Sequence, residues 1–216
     1  MKQFLEKYRA FVFDFDFTLA DGSDWTVRCF QEVLHRHGYN GVSDETVRGT
    51  IGMVVEDAFR VMTGVDDFAY NHHLRGEFAA VCRPQMAAHT RFYPEAIRLV
   101  KDLKAHGRKV GILSTKMSTV ILQTVRACGL ERDFDSVLGI TDIQSPKPDP
   151  SGLSLTLRRL QVEAEECLYI GDNTIDALTA RNARVDFIGT LTGVCPREKL
   201  LDYPHVALVE NLGCLV

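Results

Sequence analysis

Two carboxylates, two residues apart, follow a short apolar run near the start of the chain. The run Phe11–Phe13 is aromatic and β-branched with no polar residue, which predicts a strand buried on both faces. Side chains alternate along a strand, so Asp14 and Asp16 can project the same way from its carboxyl end. Such a pair is costly unless a cation, a shared proton or hydrogen-bond donors compensate. The spacing predicts a catalytic or metal site; the alternative is a strand that ends in an acidic turn.

Two further side chains suited to binding phosphate come later in the chain. Ser114 ends the apolar run 109–113, and a hydroxyl followed by backbone amides that enter a helix suits phosphate oxygens. Lys147 lies between Pro146 and Pro148, which restrict the backbone and lower the entropic cost of presenting an ammonium to anions. Taken alone, Lys147 also fits a solvated surface lysine.

A second pair of carboxylates follows a later predicted strand, residues 167–170. Gly171 permits a tight turn off that strand, and Asp172 comes directly after it. Asp176 lies one helical turn further on, so both carboxylates can face one point. Oxygen clusters of this kind suit Mg²⁺, which takes one or two carboxylates together with water and substrate phosphate.

Strands and helices alternate regularly after residue 93. The pattern predicts strands over 109–113, 134–140, 167–170, 185–188 and 205–209, and helices over 94–106, 117–128, 150–160 and 174–183. This alternation indicates an α/β fold with a doubly wound parallel sheet. Ligands bind at the carboxyl ends of the strands in such sheets, where the side chains described above occur.

Residues 21–89 have a different, mostly helical pattern. Predicted helices include one that Ser43 caps, one that stops at Gly64, and a last one over about 67–89. Because strands resume only after this block, we expect an inserted helical domain at 21–89 and a core formed by 1–20 and 90–216. The alternative is that these helices simply cover the sheet.

The haloacid dehalogenase superfamily, in its phosphatase form, has motifs that this chain resembles in order: Asp14-Phe-Asp16-Phe-Thr18, Ser114, Lys147-Pro-Asp-Pro150 and Gly171-Asp172-Asn-Thr-Ile-Asp176. Dehalogenases of that superfamily keep only the first Asp, so Asp16 favours phosphoryl chemistry. Phe17 and Thr115 stand where the family commonly has Gly and Asn. The resemblance implies a Rossmann-like core with a helical cap of the first cap class.

The resemblance also implies a role for each motif residue. Asp14 attacks phosphorus and becomes an aspartyl-phosphate. Asp16 protonates the leaving oxygen and later takes a proton from water, and Thr18 helps to hold Asp16. Ser114 and Thr115 bind phosphate oxygens, while Lys147 steadies the charge. The implied ligands of Mg²⁺ are Asp14, the Asp16 carbonyl and Asp172, with Asp176 in support.

The predicted helical insert contains a segment that resembles a substrate-specificity loop. It reads Arg48-Gly-Thr50-Ile-Gly52, and in related caps such a loop reaches the active site. Its glycines permit close approach, and Arg48 could meet a second anionic group of a substrate. A plain connection between helices is the alternative.

Composition narrows the class of protein. The chain has 216 residues, 45% of them hydrophobic and 25% charged, with a net charge of −4 that gives no reason to expect nucleic-acid binding. The six cysteines lack metal-site or disulfide spacing, which is typical of reduced thiols. No signal-peptide pattern and no apolar run of about 18 residues is present. We expect a cytoplasmic monomer or homodimer without membrane contact.

The four motifs and the resemblance that they carry predict a Mg²⁺-dependent phosphatase that acts on a small phosphorylated metabolite, with phosphoglycolate phosphatase-like enzymes as the nearest resemblance. An inorganic pyrophosphatase of the same superfamily is the near alternative, and a sugar-phosphate mutase a more distant one. A non-catalytic module that binds phosphoryl groups belongs to another class. Binding alone requires neither a nucleophile nor an acid, which argues against that module.

Overall fold

The structure, a computed structural model, describes residues 5–216, and the chain divides into two compact units. The first unit contains the residues through Asp21 and then Phe92–Val216. The second unit is Gly22–Arg91. Every helix within residues 5–216 is too short or too polar to cross a membrane.

Eight strands occur within residues 5–216, most of them in the first unit. They are β1 (Ala10–Phe13), β2 (Ala20–Asp21), β3 (Arg91–Phe92), β4 (Lys109–Leu113), β5 (Ser136–Leu138), β6 (Cys167–Gly171), β7 (Asp186–Thr190) and β8 (Ala207–Val209). Strands β2 and β3 lie where the chain passes from one unit to the other. The other six form one parallel sheet in the order β5-β4-β1-β6-β7-β8.

Ten α-helices accompany these strands in the described part of the chain. They are α1 (Ser23–Arg36), α2 (Asp44–Gly49), α3 (Val55–Thr63), α4 (Phe68–Cys82), α5 (Met86–His89), α6 (Pro94–Ala105), α7 (Ser118–Ala127), α8 (Ser151–Leu160), α9 (Thr174–Ala183) and α10 (Arg197–Leu201). Short 3₁₀ turns occupy Arg83–Gln85, Ile140–Asp142, Ala164–Glu166 and Leu212–Leu215.

Strand β1 lies inside the sheet and is buried on both faces. Phe11 and Phe13 pack into one apolar cluster with α6 and α7, whereas Ala10 and Val12 pack into the other with α8 and α9. Helices therefore cover both faces of the sheet, which confirms the predicted doubly wound α/β fold. Because both faces of β1 are buried, every residue of the strand must be apolar, as the sequence of Ala10–Phe13 is.

The register of β1 brings three strand ends together. Phe13 lies opposite Ile112 of β4 on one side and Ile170 of β6 on the other. Because the strands are parallel, the residues that follow them emerge at the same edge of the sheet. Those residues include Asp14, Ser114 and Asp172.

The second unit is helical, with an aromatic centre. The rings of Phe30 and Phe78 stack with centroids 4.1 Å apart, and Phe59 meets Phe30 edge-on at 5.1 Å. The Ser43 hydroxyl accepts a hydrogen bond from the Thr46 backbone N–H, which caps α2 as predicted. Helix α3 ends at Gly64, whose φ of +74° is the left-handed conformation expected of a terminal glycine.

Two element predictions were wrong in extent. The helix expected over 67–89 is broken, since α4 ends at Cys82 and a 3₁₀ turn precedes α5. Pro84 lies in that turn, and proline has no backbone N–H to continue a helical ladder. The strand expected over 134–140 is reduced to β5, and α10 was not predicted because its apolar pattern spans little more than one turn.

Burial on the sheet should make Leu103 of α6 far more sensitive to truncation than an exposed leucine of the same unit. Leu103 is 0% exposed, whereas Leu201 of α10 is 52% exposed. We expect Leu103→Ala to lower the free energy of unfolding by about 2–5 kcal/mol, through lost apolar contact and a residual cavity. Leu201→Ala should change it by less than about 0.5 kcal/mol. Urea unfolding measures both; equal effects would show that α6 does not pack as described.

Candidate active site

Three parallel strands deliver the polar side chains of the site. Asp14 follows β1, Ser114 follows β4 and Asp172 follows β6, and all three are buried. The Asp14 backbone N–H donates to the Ile170 carbonyl at 2.8 Å, which extends the β1–β6 ladder by one residue. The carboxylate of Asp14 is therefore fixed by a regular strand rather than by a loose turn.

Lys147 bridges two of the predicted carboxylates. Its ammonium donates to Asp14 Oδ1 at 2.8 Å and to Asp176 Oδ1 at 2.6 Å, and its side chain is only 2% exposed. Burial alone lowers the pKa of a lysine, but the charges of Asp14 and Asp176 outweigh it and raise the pKa of Lys147 well above its usual value. Lys147 is thus a charged group inside the site and not a surface lysine.

Tyr169, which the sequence analysis did not identify, supports this bridge. Its hydroxyl lies 3.0 Å from Asp176 Oδ1 and accepts from Lys147 Nζ at 3.3 Å. Burial, followed by the charge of Asp176, raises the pKa of Tyr169 well above its usual value, so the hydroxyl stays protonated. A tyrosine within a buried strand needs a polar partner for its hydroxyl, and that requirement was the available signal in the sequence.

Asp176 is set by the turn that follows β6. Its Oδ2 accepts from the Asn173 backbone N–H at 3.1 Å, in a capping box at the start of α9. A Cβ on Gly171 would lie 2.4 Å from Asp176 Cγ, so only glycine allows the carboxylate so close to the strand. The Gly-Asp-x-x-x-Asp spacing thus has a direct steric cause.

Three carboxylates form a cluster suited to a divalent cation. Asp14, Asp172 and Asp176 are all buried, and each offers an oxygen within 4.8 Å of the others. Burial, with the neighbouring charges of Asp176 and Asp14, raises the pKa of Asp172 well above its usual value. A hard cation would relieve this crowding, and oxygen ligands are the kind that such cations take. The residues present fit a divalent metal.

Thr18 contacts this cluster. Its hydroxyl donates to Asp172 Oδ1 at 3.3 Å. The resemblance implies that Thr18 helps to hold Asp16, which stays a prediction; the observed hydrogen bond goes to Asp172. Thr18 therefore orients a predicted metal ligand.

Asp16 faces a second lysine that the sequence analysis also missed. Lys116 Nζ lies 3.1 Å from Asp16 Oδ1, and the two side chains are 12% and 11% exposed. Burial raises the pKa of Asp16, as does the charge of Asp14, while Lys116 opposes the rise. A lysine two residues after Ser114 was visible in the sequence, but its direction was not.

The turn after Asp16 forms without the usual glycine. Phe17 has φ of +59°, in the left-handed region that glycine occupies at little cost and other residues at roughly 1–2 kcal/mol. Its backbone N–H donates to the Ala20 carbonyl at 2.8 Å, and its carbonyl accepts from the Thr192 hydroxyl. These bonds hold the conformation that Gly would otherwise supply.

The predicted phosphate-binding pair follows β4 directly. The Ser114 N–H donates to the Leu138 carbonyl at 3.0 Å, and the Ser114 hydroxyl accepts from the Lys116 N–H at 3.3 Å. Thr115 lies between them and is half-buried. The turn is therefore ordered, and the binding of phosphate by Ser114 and Thr115 stays a prediction.

The residues of the predicted specificity loop lie in the second unit. Arg48 donates to Asp24 Oδ1 at 2.7 Å and to the Ser23 hydroxyl, both near the start of α1. The buried Thr50 hydroxyl donates to the Val47 carbonyl at 2.8 Å, and Gly52 has φ of +99°. Arg48 lies in the last turn of α2, so only residues 50–52 form the turn after that helix, and the segment is a connection between helices only in part. Its influence on substrate choice stays a prediction.

Gly193 lies directly against the carboxylate of Asp172. A Cβ at this position would lie 1.9 Å from Asp172 Oδ2, so the loop after β7 can approach the carboxylate only with glycine here. We expect Gly193→Ala to displace Asp172 and weaken binding of a divalent cation by ~10–100-fold, the usual effect of disturbing the support of a metal ligand.

Electron paramagnetic resonance with Mn²⁺ as the probe would measure that affinity. Val194→Ala is the control, since Val194 lies in the same loop and is 40% exposed. Unchanged Mn²⁺ affinity in Gly193→Ala would show that Asp172 does not bind the cation.

Known proteins with similar structures and sequences share this arrangement of elements. A haloacid dehalogenase-like hydrolase from Bacteroides fragilis is 39% identical, with a TM-score of 0.94 over 97% of this chain and 100% of that one. A structure described as a phosphoglycolate phosphatase, from Lactobacillus plantarum, has a TM-score of 0.85 over 96% of this chain and 97% of that one; at 22% identity it shows the fold alone.

Two curated relatives of this chain are named as pyrophosphatases. Pyrophosphatase PpaX of Bacillus velezensis is 24% identical over 98% of this chain and 96% of its own length. Pyrophosphatase PpaX of Bacillus thuringiensis is 29% identical over 82% of this chain and 80% of its own. The family model of haloacid dehalogenase-like hydrolases matches residues 11–190. With paired carboxylates after β1 and β6 and the buried Lys147 between them, the chain is a hydrolase that belongs to the haloacid dehalogenase-like hydrolase family.

Proposed function

We propose that the protein is a Mg²⁺-dependent phosphatase that hydrolyses a small phosphorylated metabolite through an aspartyl-phosphate on Asp14. The observation that carries the proposal is the buried bridge from Lys147 to Asp14 and Asp176, with Asp16 two residues beyond the nucleophile. A module that only binds phosphate has no need of a carboxylate nucleophile or of an acid beside it.

In the first step a carboxylate oxygen of Asp14 attacks phosphorus, and the bond from phosphorus to the leaving oxygen breaks. Lys147 lowers the repulsion between Asp14 and the incoming phosphoryl group, because its ammonium is fixed 2.8 Å from Asp14 Oδ1. Asp16, in its acid form, donates a proton to the leaving oxygen. The raised pKa of Asp16 favours that form.

In the second step water attacks the phosphorus of the aspartyl-phosphate. Asp16, now a carboxylate, accepts the proton of the water, and the bond to Asp14 breaks to release inorganic phosphate. Both residues return to their starting protonation states. Ser114 and the backbone near Thr115 would hold the phosphoryl oxygens during both steps, since they follow β4 at the same edge of the sheet.

The metal ligands would be Asp14, Asp172 and the Asp16 carbonyl, with Asp176 in support. When bound, Mg²⁺ supplies positive charge that offsets the surplus of carboxylates and the charge of the phosphoryl group. Thr18 holds Asp172 through a hydrogen bond, and Gly193 leaves room for the Asp172 carboxylate.

Two kinds of substrate are candidates for this phosphatase. A phosphoglycolate-like phosphomonoester is the first candidate, and inorganic pyrophosphate is the second, favoured by the likeness to pyrophosphatase PpaX over nearly the whole chain. A sugar-phosphate mutase would have to protect the phospho-enzyme from water. Arg48, Thr50 and Gly52 would adjust the choice, provided that Arg48 exchanges its ion pair with Asp24 for a substrate anion.

We also propose a cytoplasmic location and a monomer or homodimer that binds neither nucleic acid nor membrane. All six cysteines are free thiols, which suits a reducing compartment.

Asp14→Asn should abolish hydrolysis, because an amide is a poor nucleophile and a poorer metal ligand. We expect kcat to fall by at least ~10³-fold on any phosphorylated substrate that the native protein accepts. Excess chelator should have the same effect on native protein, and added Mg²⁺ should restore activity. The exposed Asp202→Asn is the control. Near-normal turnover in Asp14→Asn would exclude the covalent mechanism.

Asp16→Asn should separate substrates by their need for a proton on the leaving oxygen. An alkyl phosphate needs that proton, whereas p-nitrophenolate leaves readily without it. We expect single-turnover formation of the phospho-enzyme to slow by ~10²-fold more with the alkyl phosphate than with p-nitrophenyl phosphate. Equal slowing of both would mean that Asp16 holds the site together and does not donate the proton.

A further inference from the structure

Lys116 is a second lysine of the site, partly buried, and the proposed mechanism above gives it no task. Its ammonium lies 3.1 Å from Asp16 Oδ1, and its side chain is 12% exposed. Burying a lysine to this extent is costly unless its charge is used. The neighbourhood of Lys116 therefore calls for a functional explanation.

The backbone of Lys116 is held from two sides. Its N–H donates to the Ser114 hydroxyl at 3.3 Å, and its carbonyl accepts from the Ile140 N–H at 3.1 Å. A Cβ on Gly139 would lie 2.3 Å from the Lys116 carbonyl oxygen, so the turn after β5 is pressed against this residue. A fixed backbone lowers the entropic cost of aiming the side chain.

The two lysines contact different catalytic carboxylates. Lys147 contacts Asp14, the proposed nucleophile, while Lys116 contacts Asp16, the proposed proton donor to the leaving oxygen. Whatever meets Asp16 therefore comes close to the ammonium of Lys116. In the first step of the proposed mechanism, that partner is the oxygen of the leaving group.

Lys147 shows that an ammonium in this site can serve two anionic oxygens at once. It contacts carboxylates of both Asp14 and Asp176 at 2.8 and 2.6 Å. Lys116 can in the same way contact Asp16 and an anionic oxygen of the substrate. In a buried site such a charged contact is much stronger than it would be in water.

We infer that Lys116 is a binding subsite for a second negative charge carried by the leaving group. The substrate class is then a phosphoryl compound whose leaving group is itself an anion, such as a carboxylate or another phosphate. This inference rests on the proposed function, and it unites its two candidates, because glycolate and phosphate are both anionic leaving groups. A phosphomonoester of an uncharged alcohol would not use the subsite.

The test compares two substrates that differ only in this charge. 2-Phosphoglycolate carries a carboxylate where 2-hydroxyethyl phosphate carries an uncharged hydroxymethyl group. Lys116→Met keeps the length of the side chain and removes its charge. The control is Lys199→Met in α10, because Lys199 is exposed.

We expect Lys116→Met to lower kcat/KM for 2-phosphoglycolate by ~30-fold or more, the range for losing one partner of a buried charge pair. The loss for 2-hydroxyethyl phosphate should stay below ~3-fold. Lys116→Arg, which keeps the charge, should recover most of the preference. Lys199→Met should behave as the native protein does.

Equal losses on both substrates would overturn the inference, since they would mean that Lys116 only positions Asp16. Native protein that hydrolyses neither these substrates nor pyrophosphate with Mg²⁺ would overturn the proposed function itself. If Lys116→Met fails to fold, product inhibition of the native protein decides the question. Glycolate should then inhibit at least ~10-fold better than ethylene glycol, and equal inhibition would overturn the inference.

Discussion

The contact of Lys147 with Asp14 and Asp176 is the interaction on which the site depends. Three buried charged groups meet within hydrogen-bond distance, and removing one partner from such a set usually costs about 3–5 kcal/mol because a buried charge is left uncompensated. The Tyr169 hydroxyl and the capping box of α9 complete the contacts of Asp176. The lysine arrives from a loop, while both carboxylates are set by strands of the sheet and the turns that follow them.

The sheet can support this cluster because β1 is central and buried on both faces. Its neighbours β4 and β6 run parallel to it in register, so the residues that follow the strands converge at one edge. The apolar run before Asp14 therefore fixes where Asp14 lies. The apolar sequence of β1 thus determines both the burial of the strand and the position of Asp14 in the site.

Residues that follow strands could be predicted from the sequence, because strand ends are visible in an apolar pattern. Asp14, Ser114 and Asp172 were placed at one edge of the sheet by this reasoning, and the structure brings them there. The doubly wound fold followed from the alternation of strands and helices. Gly171 was expected to permit a tight turn, whereas the structure gives a steric reason for it, since a Cβ there would clash with Asp176.

Contacts between distant segments could not be predicted in this way. Tyr169 looks like one more residue of a buried strand, and Gly193 looks like an ordinary loop glycine. Their importance comes from neighbours far away in the sequence, which periodicity does not report. The same holds for Phe17, whose left-handed backbone is stabilised by Thr192 from the loop after β7. Glycine is normally favoured at a position with this backbone conformation, but the hydrogen bond from Thr192 allows phenylalanine at position 17.

The two lysines also show how one site can treat the two ends of a breaking bond differently. Lys147 is almost fully buried and lies between two carboxylates, so its charge is committed to the nucleophile. Lys116 is more exposed and contacts the carboxylate of Asp16, the proposed proton donor. A charge fixed before the substrate arrives lowers the barrier without any rearrangement during the reaction. A charge beside the proton donor instead acts on the part of the substrate that differs from one metabolite to another, which makes it a source of selectivity.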